Sequence, residues 1–161
     1  MATNLPFTTL RRCGSAATAV LLLAASCAPL PPTSSVVIPP IPAGEARIWF
    51  YRDDGPYESQ ERPFVRLNGQ VAGISEPNGA FYRDVAPGGY SVTADSYLSG
   101  YFNQFADIGL SAGQQAFIKV QSERVKVGSE TGASRPIFYT RLIPVEMAQA
   151  EIARSPFYGA S

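Results

Sequence analysis

The stretch that decides the fold runs Val65-Arg66-Leu67-Asn68-Gly69-Gln70-Val71-Ala72-Gly73-Ile74. Two short apolar runs separated by Asn-Gly are a strong hairpin signal, because asparagine and glycine accept the positive φ angles of a two-residue turn. Working outward, the same period of two recurs. In Glu45 to Arg52, Ala46, Ile48 and Phe50 share one face, and Arg47, Trp49 and Tyr51 share the other. Ala80 to Val85 reads as a strand ended by Pro87-Gly88-Gly89. Tyr90, Val92 and Ala94 alternate with Ser91, Thr93 and Asp95. Gln114 to Ser122 and Pro136 to Val145 complete the set. About 6–8 short strands with turn signals every ten residues or so predict a mainly β protein, an antiparallel β-sandwich. One helix is expected over about residues 144–154, with Val145, Ala148 and Ile152 on its apolar face and Pro156 stopping it.

The chain has 161 residues, enough for one domain, with 13 basic and 13 acidic side chains and no histidine. The missing histidine removes Ser-His-Asp and Cys-His catalysis and every His-containing zinc or haem site. Balanced charge removes the basic footprint of a nucleic-acid binder, so no nucleic-acid partner is expected. No cofactor is implied.

The first 26 residues read as an export signal. Arg11-Arg12 supplies the positive region, an apolar run follows, and the segment ends Ala24-Ala25-Ser26-Cys27. Small residues before a cysteine resemble the lipobox of bacterial lipoproteins, in which the cysteine is acylated after cleavage on its N-terminal side. That resemblance implies lipidation of Cys27 and anchoring to a lipid bilayer. Ala28 at the next position, in place of aspartate, implies the outer membrane, facing the periplasm. Cleavage elsewhere would give a soluble exported protein. Cys13 leaves with the signal and Cys27 is consumed, so the mature chain has no thiol for a disulfide, a catalytic nucleophile or a metal. Residues 27–44 hold six prolines and read as a stiff extended tether, long enough to lift the domain by up to ~50 Å. The alternative is that Val36-Val37-Ile38 joins the domain as an edge strand. Residues 45–161 form the sandwich domain with its C-terminal helix.

Taken together, Ala46-Arg47-Ile48-Trp49-Phe50-Tyr51-Arg52, the Asn68-Gly69 hairpin, Val85-Ala86-Pro87-Gly88-Gly89-Tyr90 and Ala112-Gly113-Gln114-Gln115-Ala116-Phe117 resemble one family. It is the small bacterial lipoproteins numbered 2846 among domains of unknown function. Their pattern is an aromatic strand, an Asn-Gly hairpin, a Pro-Gly-x-Tyr turn and a later strand, and the likeness runs from about Glu45 to Arg154. The hairpin and the Pro-Gly turn also occur in PEGA and transthyretin-like sandwiches, which implies the same architecture. The resemblance brings no catalytic residues with it.

The residues that could carry chemistry are few. Asp53, Asp54, Glu58 and Glu61 cluster in one loop, where paired carboxylates could serve a hydrolase or a cation, but neither signal is specific and a solvated loop after the first strand is the preferred reading. Gly89 to Thr93 begins like a nucleophile elbow but lacks the closing glycine, and no histidine could activate Ser91. The segment 97–105 mixes Tyr97, Tyr101, Phe102 and Phe105 with Asn103 and Gln104, the composition of a carbohydrate or peptidoglycan platform as well as of a core. Trp49, Tyr51 and Arg52, assigned to the less buried side of their strand, are a second possible ligand or partner surface. The reading that follows is a non-enzymatic envelope lipoprotein that binds or braces an envelope protein or glycan.

Overall fold

The protein is described by a computed structural model covering residues 29–98, 104–127 and 132–160. It is mainly β, with nine strands among these residues: β1 (Ala46–Tyr51), β2 (Phe64–Leu67), β3 (Gln70–Ile74), β4 (Ala80–Val85), β5 (Gly88–Ala94), β6 (Ala106–Leu110), β7 (Gln115–Lys126), β8 (Ser134–Leu142) and β9 (Phe157–Ala160). One helix, α1 (Val145–Ile152), lies between β8 and β9. Two sheets form a sandwich, a five-stranded one in the order β8-β7-β1-β4-β9 and a four-stranded one in the order β3-β2-β5-β6. Most neighbours are antiparallel, but β1 runs parallel to β7 and β4 runs parallel to β9.

The deciding hairpin forms as expected. Asn68 and Gly69 have φ of 48° and 82°, the two positive angles of a type I′ turn. A bulge between Val65 and Arg66 leaves Ala72 as the extra residue of β3 and turns it into the core. Gly73 is required beside it, since a Cβ there would lie 2.7 Å from the Phe81 ring.

Pro87 marks a change of sheet and not a hairpin. β4 pairs with β1 and β9, whereas β5 pairs with β2 and β6, so the chain crosses from one sheet to the other at Ala86-Pro87. The Tyr90 hydroxyl donates back to the Ala86 carbonyl at 2.6 Å, a tyrosine corner that pins this crossing.

The inner core between the sheets is almost purely apolar: Ile48, Phe50, Val65, Val92, Ile118 and Val120 are each fully buried, and Phe50 stacks on Phe81 at 4.8 Å. At roughly 1.5–3 kcal/mol for each fully buried large side chain, this layer is the main stabilising element. A second cluster lies on the other side of the five-stranded sheet: Trp49, Tyr51, Ala80, Tyr82 and Phe117 beneath Ala148 and Ile152 of α1, with Ile38 and Phe157 packed against them. The molecule is therefore three layers deep. α1 is shorter than the expected 144–154, and Val145, expected on its buried face, is 41% exposed because it sits at the first turn, beyond the sheet it would cover.

The proline-rich segment is docked, not free. Thr33 N–H and Oγ1–H both donate to the Ser155 carbonyl at 2.8 Å, Ser34 N–H donates to Ala153, and Phe157 N–H donates to Pro31. A single turn of 3-10 helix, Thr33–Ser35, follows. Ile38 then joins the second cluster, and the Pro39 carbonyl accepts from Arg47 at 2.8 Å. Residues 31–39 thus form a strap along the outer face, and the expected spacer does not extend past Leu30 on its domain side. Val36 to Ile38 are also not an edge strand; the strap is held by its ends and by one apolar side chain.

β6 and β9 were not among the expected strands. β6 is five residues with Gly109 on its outward side, and β9 is a four-residue edge containing Gly159. β6 does alternate, with Ala106, Ile108 and Leu110 buried against Asp107 and Gly109, a short pattern that the sequence reading passed over, whereas β9 carries no such pattern and exists because β4 pairs with it.

Candidate functional site

The expected signal segment, Cys27, Tyr101, Phe102 and Asn103 lie outside the described residues. Trp49, Tyr51 and Arg52 do not form a surface: they are 6%, 1% and 0% exposed. The strand alternates as expected, but both of its faces are covered, so the side away from the inner core is also interior. Trp49 packs on Tyr82 and Phe157, with ring centroids 5.0 and 6.3 Å away, and its indole N–H donates to Gln115 Oε1 at 3.0 Å. That polar handle satisfies the buried nitrogen.

Arg47 closes the far end of this roofed face. Its guanidinium grips the Asp84 carboxylate at 2.6 and 2.8 Å, lies 3.9 Å from the Tyr82 ring centroid and holds Pro39. The bond to Asp84 outweighs burial and raises the Arg47 pKa.

The acidic loop is equally committed to structure. Arg52, fully buried at the end of β1, donates to the carbonyls of Ser59 and Glu61 and reaches Glu58 at 3.4 Å. Burial lowers its pKa, against the opposing pull of Glu58. Glu58 accepts from the Ser122 hydroxyl at 2.7 Å and from its backbone N–H at 3.1 Å. Asp53 pairs with Lys119 at 2.6 Å, while Asp54 and Glu61 are exposed. Asp53 and Glu58 thus point at separate partners and Asp54 and Glu61 at solvent, and no group of three metal-ligating residues occurs among the described residues. The hydrolase expectation loses its constellation.

Lys119, Glu151, Asp53 and Tyr51 form a polar cluster that the sequence did not signal. Lys119 Nζ bonds Glu151 at 3.0 and 3.1 Å as well as Asp53, and sits 5.6 Å from the Tyr51 ring centroid. Burial works to lower the Lys119 pKa, but its two carboxylate partners outweigh it and raise it. Glu151, which burial alone would push up, is held below the ordinary range by Tyr51 and Lys119. The Tyr51 hydroxyl is buried beside Glu151; burial first, then the Glu151 and Asp53 carboxylates, push its pKa up. The clue was a lysine on the same face as Phe117 in a β-strand, but its acid lies 32 residues away on α1.

Tyr97 is where a surface was expected. It is 55% exposed, with the Arg135 guanidinium 5.3 Å from its ring centroid, and Phe105 is 52% exposed. Gln104, by contrast, is buried and donates to the Leu98 carbonyl.

Among the described residues, two openings are of a size to take a ligand. A groove of about 620 Å³ lies between Ile108 and Leu110 of β6, Ala116 and Phe117 of β7, and Leu142 and Val145 at the start of the helical layer. It occupies the pole where β1 begins, since Arg47 pairs with Gln115. A smaller cleft of about 380 Å³ opens between Gly73, Phe81, Arg83 and Tyr158. Arg83 donates to the Tyr82 carbonyl there, and burial lowers its pKa. Among the described residues no helix is long and apolar enough to cross a membrane.

Fold and side chains together define a two-sheet sandwich with a helix-and-strap roof and side-chain networks spent on holding loops in place. The chain belongs to the family of proteins of unknown function DUF2846, whose model matches residues 42–133, more than half of its length. That match ends before β8, whereas the sequence likeness was expected to reach Arg154; the strap, α1 and β9 all lie outside it. No curated protein matches the chain.

Proposed function

We propose that this protein is a lipid-anchored envelope protein, acylated at Cys27 and held at the outer membrane, whose sandwich is a non-enzymatic structural or binding module. The observation that carries the reading is the spacing between the lipobox-like Ala24-Ala25-Ser26-Cys27 and the start of the folded unit. Only Ala28, Pro29 and Leu30 separate the cysteine from Pro31, which already accepts a hydrogen bond from β9. A cleavage before Cys27 would keep the whole strap and remove only the leader. The engagement of Asp53 and Glu58 in fixed ion pairs, described above, supports a non-catalytic role. The groove at the pole opposite the start of the strap gives such a module a place to meet an envelope partner.

The test is the intact mass of protein purified from membranes, with Cys27→Ser as the control. A mass equal to residues 27–161 plus acyl chains, absent in the control, is the expected result. A lipid-free mass would make this a soluble exported protein and overturn the proposal. The glycan alternative draws on exposed Tyr97 and Phe105; titration with soluble peptidoglycan fragments should move the Tyr97 resonances if it holds, and leave them in place if it does not.

A further inference from the structure

The side of the domain that faces the bilayer follows from strand register. The strap begins at the level of Pro156, one residue before Phe157, which is level with Ala80; Ala80 pairs with Tyr51, and Tyr51 pairs with Lys119. That line across the five-stranded sheet is the pole nearest Cys27. β7 does not stop there. It continues for seven residues to Lys126, paired throughout with β8 back to Ser134; Val120 and Phe138 still lie in the inner core, and Glu123 to Lys126 go on from there as a two-stranded ribbon. At about 3.3 Å per residue the end of β7 lies roughly 23 Å beyond the line. The backbone from Cys27 to Pro31 can span at most roughly 14 Å when fully extended. The anchor is therefore shorter than the projection beside it.

The ribbon is also braced. Glu58 and Ser59 both bond Ser122 at its base, and the Arg52 guanidinium lies 5.0 Å from the Phe138 ring centroid. Its exposed side chains include Arg124, Lys126 and Arg135, with Glu123 the acid among the described ribbon residues. Asp54 and Glu61 are exposed in the loop at its base, so the excess of positive charge belongs to the ribbon's outer residues, the part that would meet an anionic headgroup layer.

We propose that the β7–β8 ribbon rests on the phospholipid headgroups of the membrane that holds the Cys27 acyl chains. The sandwich then stands on this end and presents the groove at its opposite pole away from the lipid. This rests on the lipid anchoring proposed above, so the experiment sets the anchor chemically. The chain from Cys27 onward contains every described residue, and Cys27 is its one cysteine. Its thiol is coupled to maleimide-bearing vesicles of phosphatidylethanolamine and phosphatidylglycerol.

Lys126 is the exposed member of the chain's two lysines and reports on the ribbon. Its labelling rate by a bilayer-impermeant amine reagent is read by peptide mass, with Ser111→Lys as a reference in the exposed turn at the opposite pole. Coupling should slow Lys126 several-fold and leave the reference unchanged. Inserting a long Gly/Ser linker between Leu30 and Pro31 should restore Lys126. Equal rates at Lys126 with and without coupling would overturn the proposal, and so would protection that persists with the lengthened leash. Absence of lipid on the cellular protein would instead count against the anchoring alone.

Discussion

The two faces of β1 are both buried, and they are built by different rules. Ile48 and Phe50 face the other sheet across a layer without a polar partner. Arg47, Trp49 and Tyr51 face the roof, where each meets groups from other segments: Asp84 and the strap's Pro39, Gln115, and Lys119 with Glu151. The inner face can be filled by any well-fitting apolar set. The outer face is amphipathic because short pieces of chain, and not a continuous sheet, cover it, so its polar atoms need fixed partners.

The largest effect should come from the inner face. Phe50→Ala removes a fully buried ring stacked on Phe81 and should cost about 4 kcal/mol in chemical denaturation. An outer-face deletion should cost less and leave the fold standing. Removing residues 28–40 uncovers Trp49 and Phe157; it should lower stability by about 2 kcal/mol and shift Trp49 emission to the red, with one cooperative transition kept. A loss as large as that of Phe50→Ala would mean that the roof is as much a core as the inner layer.

The ion cluster gives the outer face a pH signature that the inner face lacks. Glu151 is held below its ordinary value of 4.5, so its stabilisation is full above that value and lost as pH falls through the folded one. Lys119 and Tyr51 are raised above 10.5 and 10.0, so theirs is full below those values and lost as pH rises. The Tm difference between the protein and its Lys119→Met variant should be constant from about pH 5 to 9 and should shrink beyond both ends. A difference that varies within that window would contradict the assignment. The smallest expected effect is at the sheet crossing: Tyr90→Phe loses one partly exposed hydrogen bond, about 1 kcal/mol.

The inner face was legible from the residues because alternation reports which side chains are apolar. The Asn68-Gly69 turn was legible because only a few residue types accept its angles. What alternation could not report is whether the second face is wet, and so Trp49, Tyr51 and Arg52 were assigned to a surface. Trp49 and Tyr51 are covered by Pro31 to Pro39 and α1, on either side of the sandwich in sequence, and Arg52, on the other face, by the Glu58 to Glu61 loop and Phe138, contacts that no local pattern encodes. The prolines of the strap do impose an extended backbone. They say nothing of whether that backbone runs through solvent or along a sheet, and the bonds to Ser155 and Ala153 decide it. Tyr90 carried a signal in the Pro-Gly-Gly-Tyr spacing, readable only once the two sheets are seen to part at Pro87.

The account depends most on the strap being a folded part of the domain, because the roof of the outer face and the shortness of the anchor both follow from it. Residue-resolved amide hydrogen exchange on the chain from Cys27 to Ser161 tests this directly. The N–H groups of Thr33 and Ser34, which donate to Ser155 and Ala153, should be protected well above the free-chain rate and should open no faster than β9. Exchange of both at the free-chain rate would show a loose tether and would contradict the account.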